Sequence, residues 1–226
     1  MSMVLLAALV VPLLAVPVLA TLGSRLGTRA GWLALPIPVI SATLIASLLA
    51  DQSGFAERVV TIPWIPSIGI NLSFVVDGLS LFFGLVVSGM GVLITLYAAT
   101  YLDDHYRDHG RFYSYLMLFM ASMLGCVFSE NMLVLFVFWE MTGVSSFLLI
   151  GFLHDKEGSR EGARMAFFTT TAAGLAMLAG VVVLGSVTGT YSIVELREGA
   201  IAAVAETHGG LLTGAFVLMM IGALAK

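Results

Sequence analysis

The sequence predicts an all-α integral membrane protein of about seven transmembrane helices, with a short β-hairpin at the outer surface. Three observations predict it. The 226 residues are 59% hydrophobic and only 11% charged, with a mean hydropathy of +1.03. A soluble chain is roughly 45–50% apolar and about 25% charged, so too few charges remain here to coat a water-facing surface. The apolar residues gather into runs of about 20, the length a helix needs to cross a ~30 Å hydrocarbon core. Apart from Lys226, the few Lys and Arg residues fall between those runs or at their edges. Soluble enzymes and nucleic-acid binders are excluded together, since a net charge of −4 supplies no basic face for a polyanion. The single cysteine, Cys126, forms no internal disulfide, and no CxxC pair suggests a metal or cluster.

The runs cover roughly residues 3–22, 31–50, 77–102, 112–128, 132–153, 163–187 and 209–226. The first lacks the positive leader of a signal peptide, with Arg25 and Arg29 following it, and reads as a retained helix. Between the second and third runs, VVTIPWIPSIGINLSFVV places Pro63, Pro66 and Gly69 between two strand-like segments, the pattern of a hairpin. Asp77 then opens DGLS, where its carboxylate can accept N–H bonds from the next helix's first turn. No linker, repeat or low-complexity tract interrupts the chain, so residues 1–226 read as one membrane domain. The odd-numbered loops hold Arg25, Arg29, Arg107, Arg111, Lys156, Arg160 and Arg164, against Arg58 and Arg197 in the even ones. Positive loops stay cytoplasmic, which puts the N-terminus outside, in a multi-pass protein of the cell (inner) membrane.

An ionisable group inside a membrane is costly and is a functional candidate by default. Glu140, in LVLFVFWEMTGVSSFLLIGF, lies about 12 Å into its helix, near mid-bilayer. It reads as a proton site or as a carboxylate that tunes a neighbour; the plainer alternative is a protonated structural group. Thr142, Ser145 and Ser146 add hydroxyls beside it as possible pathway-lining groups, and Gly143 leaves room for water or a helix. Lys226, in FVLMMIGALAK, reads on its own as a snorkelling helix-end lysine. It lies deeper than Glu140, so contact between them would need a bridging water or a bulge in its helix. Thr169, Thr170 and Thr171 share one helix; Thr170 is a further pathway candidate, though membrane threonines usually bond their own backbone. His105 and His109 are four apart but sit in the highly charged DDHYRDHGR, which favours a solvated segment over a metal site. Glu130 sits in SEN, a short turn that reads as solvated.

The stretches IPWIPSIGINLSFVVDGLSLFF, FYSYLMLFMASMLG and ENMLVLFVFWEMTGVSSFLLIGF resemble, in order, the antiporter-like subunits of proton-translocating complexes. That superfamily includes the large A subunit of Mrp-type cation/proton antiporters and the proton-pumping subunits of complex I and membrane-bound hydrogenases. FWE followed by SSFLLIGF is most similar to the Mrp A subunit. The resemblance implies that Glu140 and Lys226 match the family's paired glutamate and lysine, the first adjusting the second's pKa and the second passing protons along a lateral polar chain. Family members carry about twice as many helices, in two inverted repeats. A chain ending at Lys226 therefore reads as an N-terminal portion.

The leading expectation is a non-enzymatic, proton-translocating subunit of a multisubunit sodium/proton antiporter. Its partners would be other membrane subunits, lipid, protons and Na+ or another monovalent cation, with no cofactor and no nucleic acid. Alternatives are a pumping subunit of a quinone-reducing or hydrogenase complex, a membrane partner of inorganic carbon uptake, or an inert fragment. The charge pattern yields a direct test of topology: Ser159→Cys, in the fifth loop, should resist an impermeant thiol reagent added outside intact cells and react once the membrane is opened. Ready labelling from outside would invert the orientation.

Overall fold

The computed structural model describes residues 2–50, 58–65, 70–102 and 108–226. Pro66 and Gly69 of the hairpin turn, and His105 and Arg107 of the third loop, lie outside them. Six helical segments are long and apolar enough to cross a membrane. The first, Ser2–Leu49, has 48 residues, about twice what one crossing needs.

That segment is folded back on itself. Helix α1 (Ser2–Leu26) ends where Gly27 adopts φ +56°, a left-handed conformation that glycine tolerates. A single 3₁₀ turn, Gly27–Arg29, leads into α2 (Ala30–Ala34) and α3 (Pro36–Ala50). Helix α3 packs along α1, and one bond between them has a clear cause. Pro12 lies inside α1 and has no N–H to give to the carbonyl four residues back. That carbonyl, of Ala8, accepts instead from the buried Ser41 hydroxyl of α3 at 3.1 Å. Proline is tolerated in a membrane helix when a neighbour satisfies the freed group in this way.

Strands β1 (Arg58–Ile65) and β2 (Ile70–Val76) pair antiparallel from Arg58↔Val76 to Ile65↔Ile70, with an irregularity between Pro63 and Ile65. β2 runs straight into α4 (Gly78–Tyr101). Asp77 caps it: Ser80 N–H donates to Asp77 Oδ1 at 2.7 Å, and the Asp77 N–H donates to Ser80 Oγ at 2.9 Å. Helices α5 (His109–Phe128) and α6 (Met132–Ile150) follow. Helix α7 (Glu157–Thr188) begins well before the apolar run that announces it. Its 32 residues are about 48 Å long, so a charged end projects beyond a ~30 Å core. After the short α8 (Ile193–Glu195) the chain makes a π turn over Leu196–Ala200, where Gly199 has φ +140°. Helix α9 (Ile201–Leu224) is broken at His208. Its end corrects one expectation: Lys226 lies past the helical residues, not within them.

The main core gathers Leu5, Leu19, Ile45, Met117, Leu124 and Phe128 from α1, α3 and α5. Helices meet most closely at glycine. Gly23 of α1 faces Gly110 of α5, where a Cβ would stand 2.7 Å from Gly110 Cα; a Cβ on Gly110 would stand 2.5 Å from the Leu19 carbonyl oxygen. Gly180 brings α7 to the Ala215 carbonyl of α9, where a Cβ would be 2.6 Å from that oxygen. The obstructing atoms are backbone and cannot swing aside. Gly110→Ala should therefore lower the thermal stability of the full chain by about 1–3 kcal/mol. Gly89→Ala, with nothing within 4 Å, is the neutral control. Equal melting temperatures for the two variants would show that the crossing is looser than this packing.

Candidate functional site: the α6–α7–α9 cleft

Helix α6 carries the chemistry on one short stretch. Its N-terminus is fixed by Asn131, whose side-chain oxygen accepts from Leu133 N–H at 2.9 Å and Val134 N–H at 3.4 Å. Two turns on, Glu140 turns towards α7 and its carboxylate seats against Gly174. A Cβ at Gly174 would overlap Glu140 Oε1 and come within 3.3 Å of Oε2. The carboxylate thus occupies the place of a missing side chain.

Lys226 reaches the same helix from the end of α9. Its ammonium donates to the Trp139 carbonyl at 2.9 Å and lies over the Trp139 ring, 5.1 Å from the centroid. The ring face is electron-rich and attracts a cation. Gly143 makes the approach possible. A Cβ there would stand 3.2 Å from Lys226 Nζ and 3.8 Å from Thr170 Oγ1. A glycine four residues after Trp139 leaves that carbonyl open on the side from which the lysine comes. Helix α9 is held near enough by Gly222, where a Cβ would be 2.9 Å from the Ala173 carbonyl of α7.

The predicted residues separate into groups. Glu140 and Lys226 meet one helical turn of α6, on neighbouring residues. The lysine bonds a backbone carbonyl, and among the described residues no ion pair joins it to the carboxylate. Their expected burial is corrected: Glu140 is half-buried and Lys226 exposed. The cleft lies at the rim of the bundle, and no described helix covers its open side. The Trp139 ring lies against the ammonium. Thr142 shares its carbonyl with the lysine, donating at 2.7 Å. Thr170 borders Gly143 but bonds the Ala166 carbonyl of its own helix at 2.9 Å. Ser145 is buried and likewise bonds its own helix, at Met141. Ser146 is half-buried, and no contact brings it to the cleft. His109 is buried, contrary to a solvated reading, while its predicted companion His105 lies outside the described residues.

Glu130 is the larger correction. It is 5% exposed, not solvated. Its Oε1 accepts from the Ser192 hydroxyl and from Val194 N–H at 3.4 Å. Its N–H donates to the Ser73 carbonyl at 2.9 Å, and its carbonyl accepts from Ile193 N–H at 2.8 Å. Met132 N–H adds a bond to the Tyr191 carbonyl at 2.9 Å. The α5–α6 turn is thus threaded between β2 and the start of α8. The sequence signal was Ser192 three residues before Glu195, a helix cap, but nothing local names Glu130 as its partner.

Comparison with known proteins places the chain in a family. Residues 129–226 match a family described as "NADH:quinone oxidoreductase/Mrp antiporter, TM", and residues 64–113 match "NADH-Ubiquinone oxidoreductase (complex I), chain 5 N-terminus". The chain belongs to this antiporter-like superfamily. It is 40% identical over 197 residues to the A1 subunit of the Na(+)/H(+) antiporter of Staphylococcus haemolyticus, covering 87% of this chain and 24% of that protein. It is 39% identical over 213 residues to the A subunit of the Na(+)/H(+) antiporter of Alkalihalophilus pseudofirmus, covering 93% of this chain and 26% of that protein. Among solved structures it resembles a chain of the Mrp complex from Dietzia sp., with TM-score 0.83 and 26% identity over 98% of this chain and 23% of that one. Respiratory complex I from Thermus thermophilus shares the fold, at TM-score 0.72 and 23% identity, over 95% of this chain and 43% of that one. The chain spans about a quarter of the length of the curated relatives it matches. The antiporter-like chain is accordingly a multi-pass membrane protein.

The Gly174 contact is testable without any transport assay. Gly174→Ala should destabilise the full chain by about 1–3 kcal/mol by driving a methyl into the carboxylate. Adding Glu140→Ala should restore most of that loss, a coupling that a double-mutant cycle measures. Additive effects would mean that the carboxylate does not rest on Gly174.

Proposed function

We propose that this chain works as the proton-handling part of the A subunit in a multisubunit Na+/H+ antiporter, a transporter and not an enzyme. Its partners are other membrane subunits, its cargo protons and Na+ or a related monovalent cation, and it needs no cofactor. The observation that carries the reading is the juxtaposition at α6 of Glu140, seated against Gly174, and Lys226, whose ammonium bonds the carbonyl of the adjacent Trp139 beside Gly143. A carboxylate and an ammonium that share one turn of one helix, without a closed ion pair, influence each other's charge while each stays free to exchange a proton. Thr142 shares the Trp139 carbonyl with the ammonium and Thr170 lies across Gly143 from it, so both offer hydroxyl oxygens at the cleft, with Ser145 and Ser146 further along α6 as possible lining groups.

The orientation that fits is an outward N-terminus and hairpin, with loops 27–29 and 151–156 cytoplasmic, as the positive charges favour. Lys226 then approaches the cleft from the cytoplasmic half. Moving one charge through a membrane potential of 100 mV is worth about 2.3 kcal/mol, enough to drive unequal exchange of protons for cations. The match of residues 64–113 to a complex I chain supports a second reading, a pumping subunit of a redox complex. The 39–40% identity to antiporter subunits favours the first.

The test uses the full chain assembled with its partner subunits in inverted vesicles. Glu140→Gln keeps size and hydrogen bonding but removes titration. It should cut Na+-dependent collapse of a pH gradient by at least tenfold, with normal assembly. Glu130→Ala should act differently: it leaves Ser192 and Val194 without their acceptor and lowers the amount of folded protein instead. Near-normal exchange by assembled Glu140→Gln complexes would sink the proton-handling role. Collapse that needs a quinone or reductant, and no Na+, would favour the redox reading.

A further inference from the structure

The projecting end of α7 has a feature that the proton cleft does not use. Between the end of α6 and the first turns of α7 lies an open cavity of about 450 Å³, lined by Phe147, Gly151, His154, Arg160, Ala163 and Arg164. Its floor is apolar: the Phe147 and Phe167 rings meet at a tilt of 48°, centroids 5.1 Å apart, and Ala163 is buried. Its rim is basic. Arg160 and Arg164 are one helical turn apart, both exposed, and neither guanidinium makes an ion pair or hydrogen bond among the described residues. The nearby carboxylate of Asp155 lies 3.6 Å from His154 Nε2. Length fixes the depth. Arg164 is 24 residues from the far end of α7 at Thr188, about 36 Å along the axis. With ordinary tilt that is a few Å past a ~30 Å core, at the headgroup level. Two unpaired guanidiniums at that level, beside an open cavity with an apolar floor, match one ligand in both charge and shape. Arginine pairs with phosphate through parallel N–H bonds, and basic pockets between membrane helices bind anionic headgroups.

We propose that this cavity is a binding site for one anionic phospholipid, its phosphate held by Arg160 and Arg164 and the start of an acyl chain laid against Phe147. That the lipid belongs to the cytoplasmic leaflet rests on the orientation proposed above. The site would clamp α6 to α7 further along the same interface that carries the cleft.

The test is lipid retention by the full chain with its partner subunits, purified in detergent and offered equal phosphatidylglycerol and phosphatidylcholine, read by mass spectrometry of the intact protein. No ion gradient is involved, so its failure leaves the antiporter reading untouched. The wild type should keep phosphatidylglycerol several-fold over phosphatidylcholine. Arg160→Gln with Arg164→Gln should remove about tenfold of that preference, each charge contributing a few-fold. Arg160→Lys with Arg164→Lys should retain much of it, which separates lost charge from lost folding. An excess of inorganic phosphate should not displace the lipid. Equal retention of both lipids, unchanged retention in the glutamine variant, or displacement by phosphate alone would each overturn the proposal. The first is the result expected if another protein helix covers this face.

Discussion

Helices in lipid gain nothing by burying leucine against leucine, so their association depends on how closely backbones approach. In this chain that approach is set at glycine. Gly23 and Gly110 join α1 to α5, and Gly180 and Gly222 join α7 to α9. The same device builds the candidate site. Gly174 leaves the volume that the Glu140 carboxylate fills, and Gly143 opens the carbonyl that Lys226 reaches. Fold and site are therefore one packing problem. Any side chain added at these crossings meets backbone or the functional groups themselves.

A second principle governs the polar groups: those taken out of water mostly find partners, the buried Tyr113 hydroxyl being an exception among the described residues. Where Pro12 removes a donor from α1, Ser41 replaces it. Where α5 turns into α6, Glu130 and its neighbours bond β2 on one side and the α8 segment on the other. That corner is densely hydrogen-bonded. The cleft is different. Its ammonium rests on a backbone carbonyl and a ring face, and its carboxylate lies open at the rim. A closed ion pair would hold both charges and resist proton exchange. Under the function proposed above, the looser arrangement suits groups that change protonation, in contrast to Glu130 at its hydrogen-bonded corner.

The fold class was legible because it rests on sums. Twenty apolar residues in a row, repeated, admit few other structures, and the hairpin and the Asp77 cap follow from local chemistry. Glu140 stood out because a lone acid in VFWEMTG has no surface to occupy. The role of Glu130 was not legible: its partners Ser192 and Val194 are more than sixty residues away. A polar tripeptide at a helix end looks solvated until the chain folds over it. The start of α7 was misjudged for a related reason. Its first two turns are charged, and hydropathy marks only the part of a helix that lies in lipid.

By itself the sequence determined a membrane protein, its apolar spans, its charge asymmetry, and a glutamate and a lysine worth suspecting. These follow from composition and from periodicity along the chain, which need no partner. Only the tertiary structure decided what those two residues touch. The acceptor of the lysine is a main-chain oxygen, and the seat of the carboxylate is an absent side chain on another helix. Neither carries a signature in sequence. Both depend on the distance between helices, and that distance is fixed by backbone contact at glycines far apart in the chain.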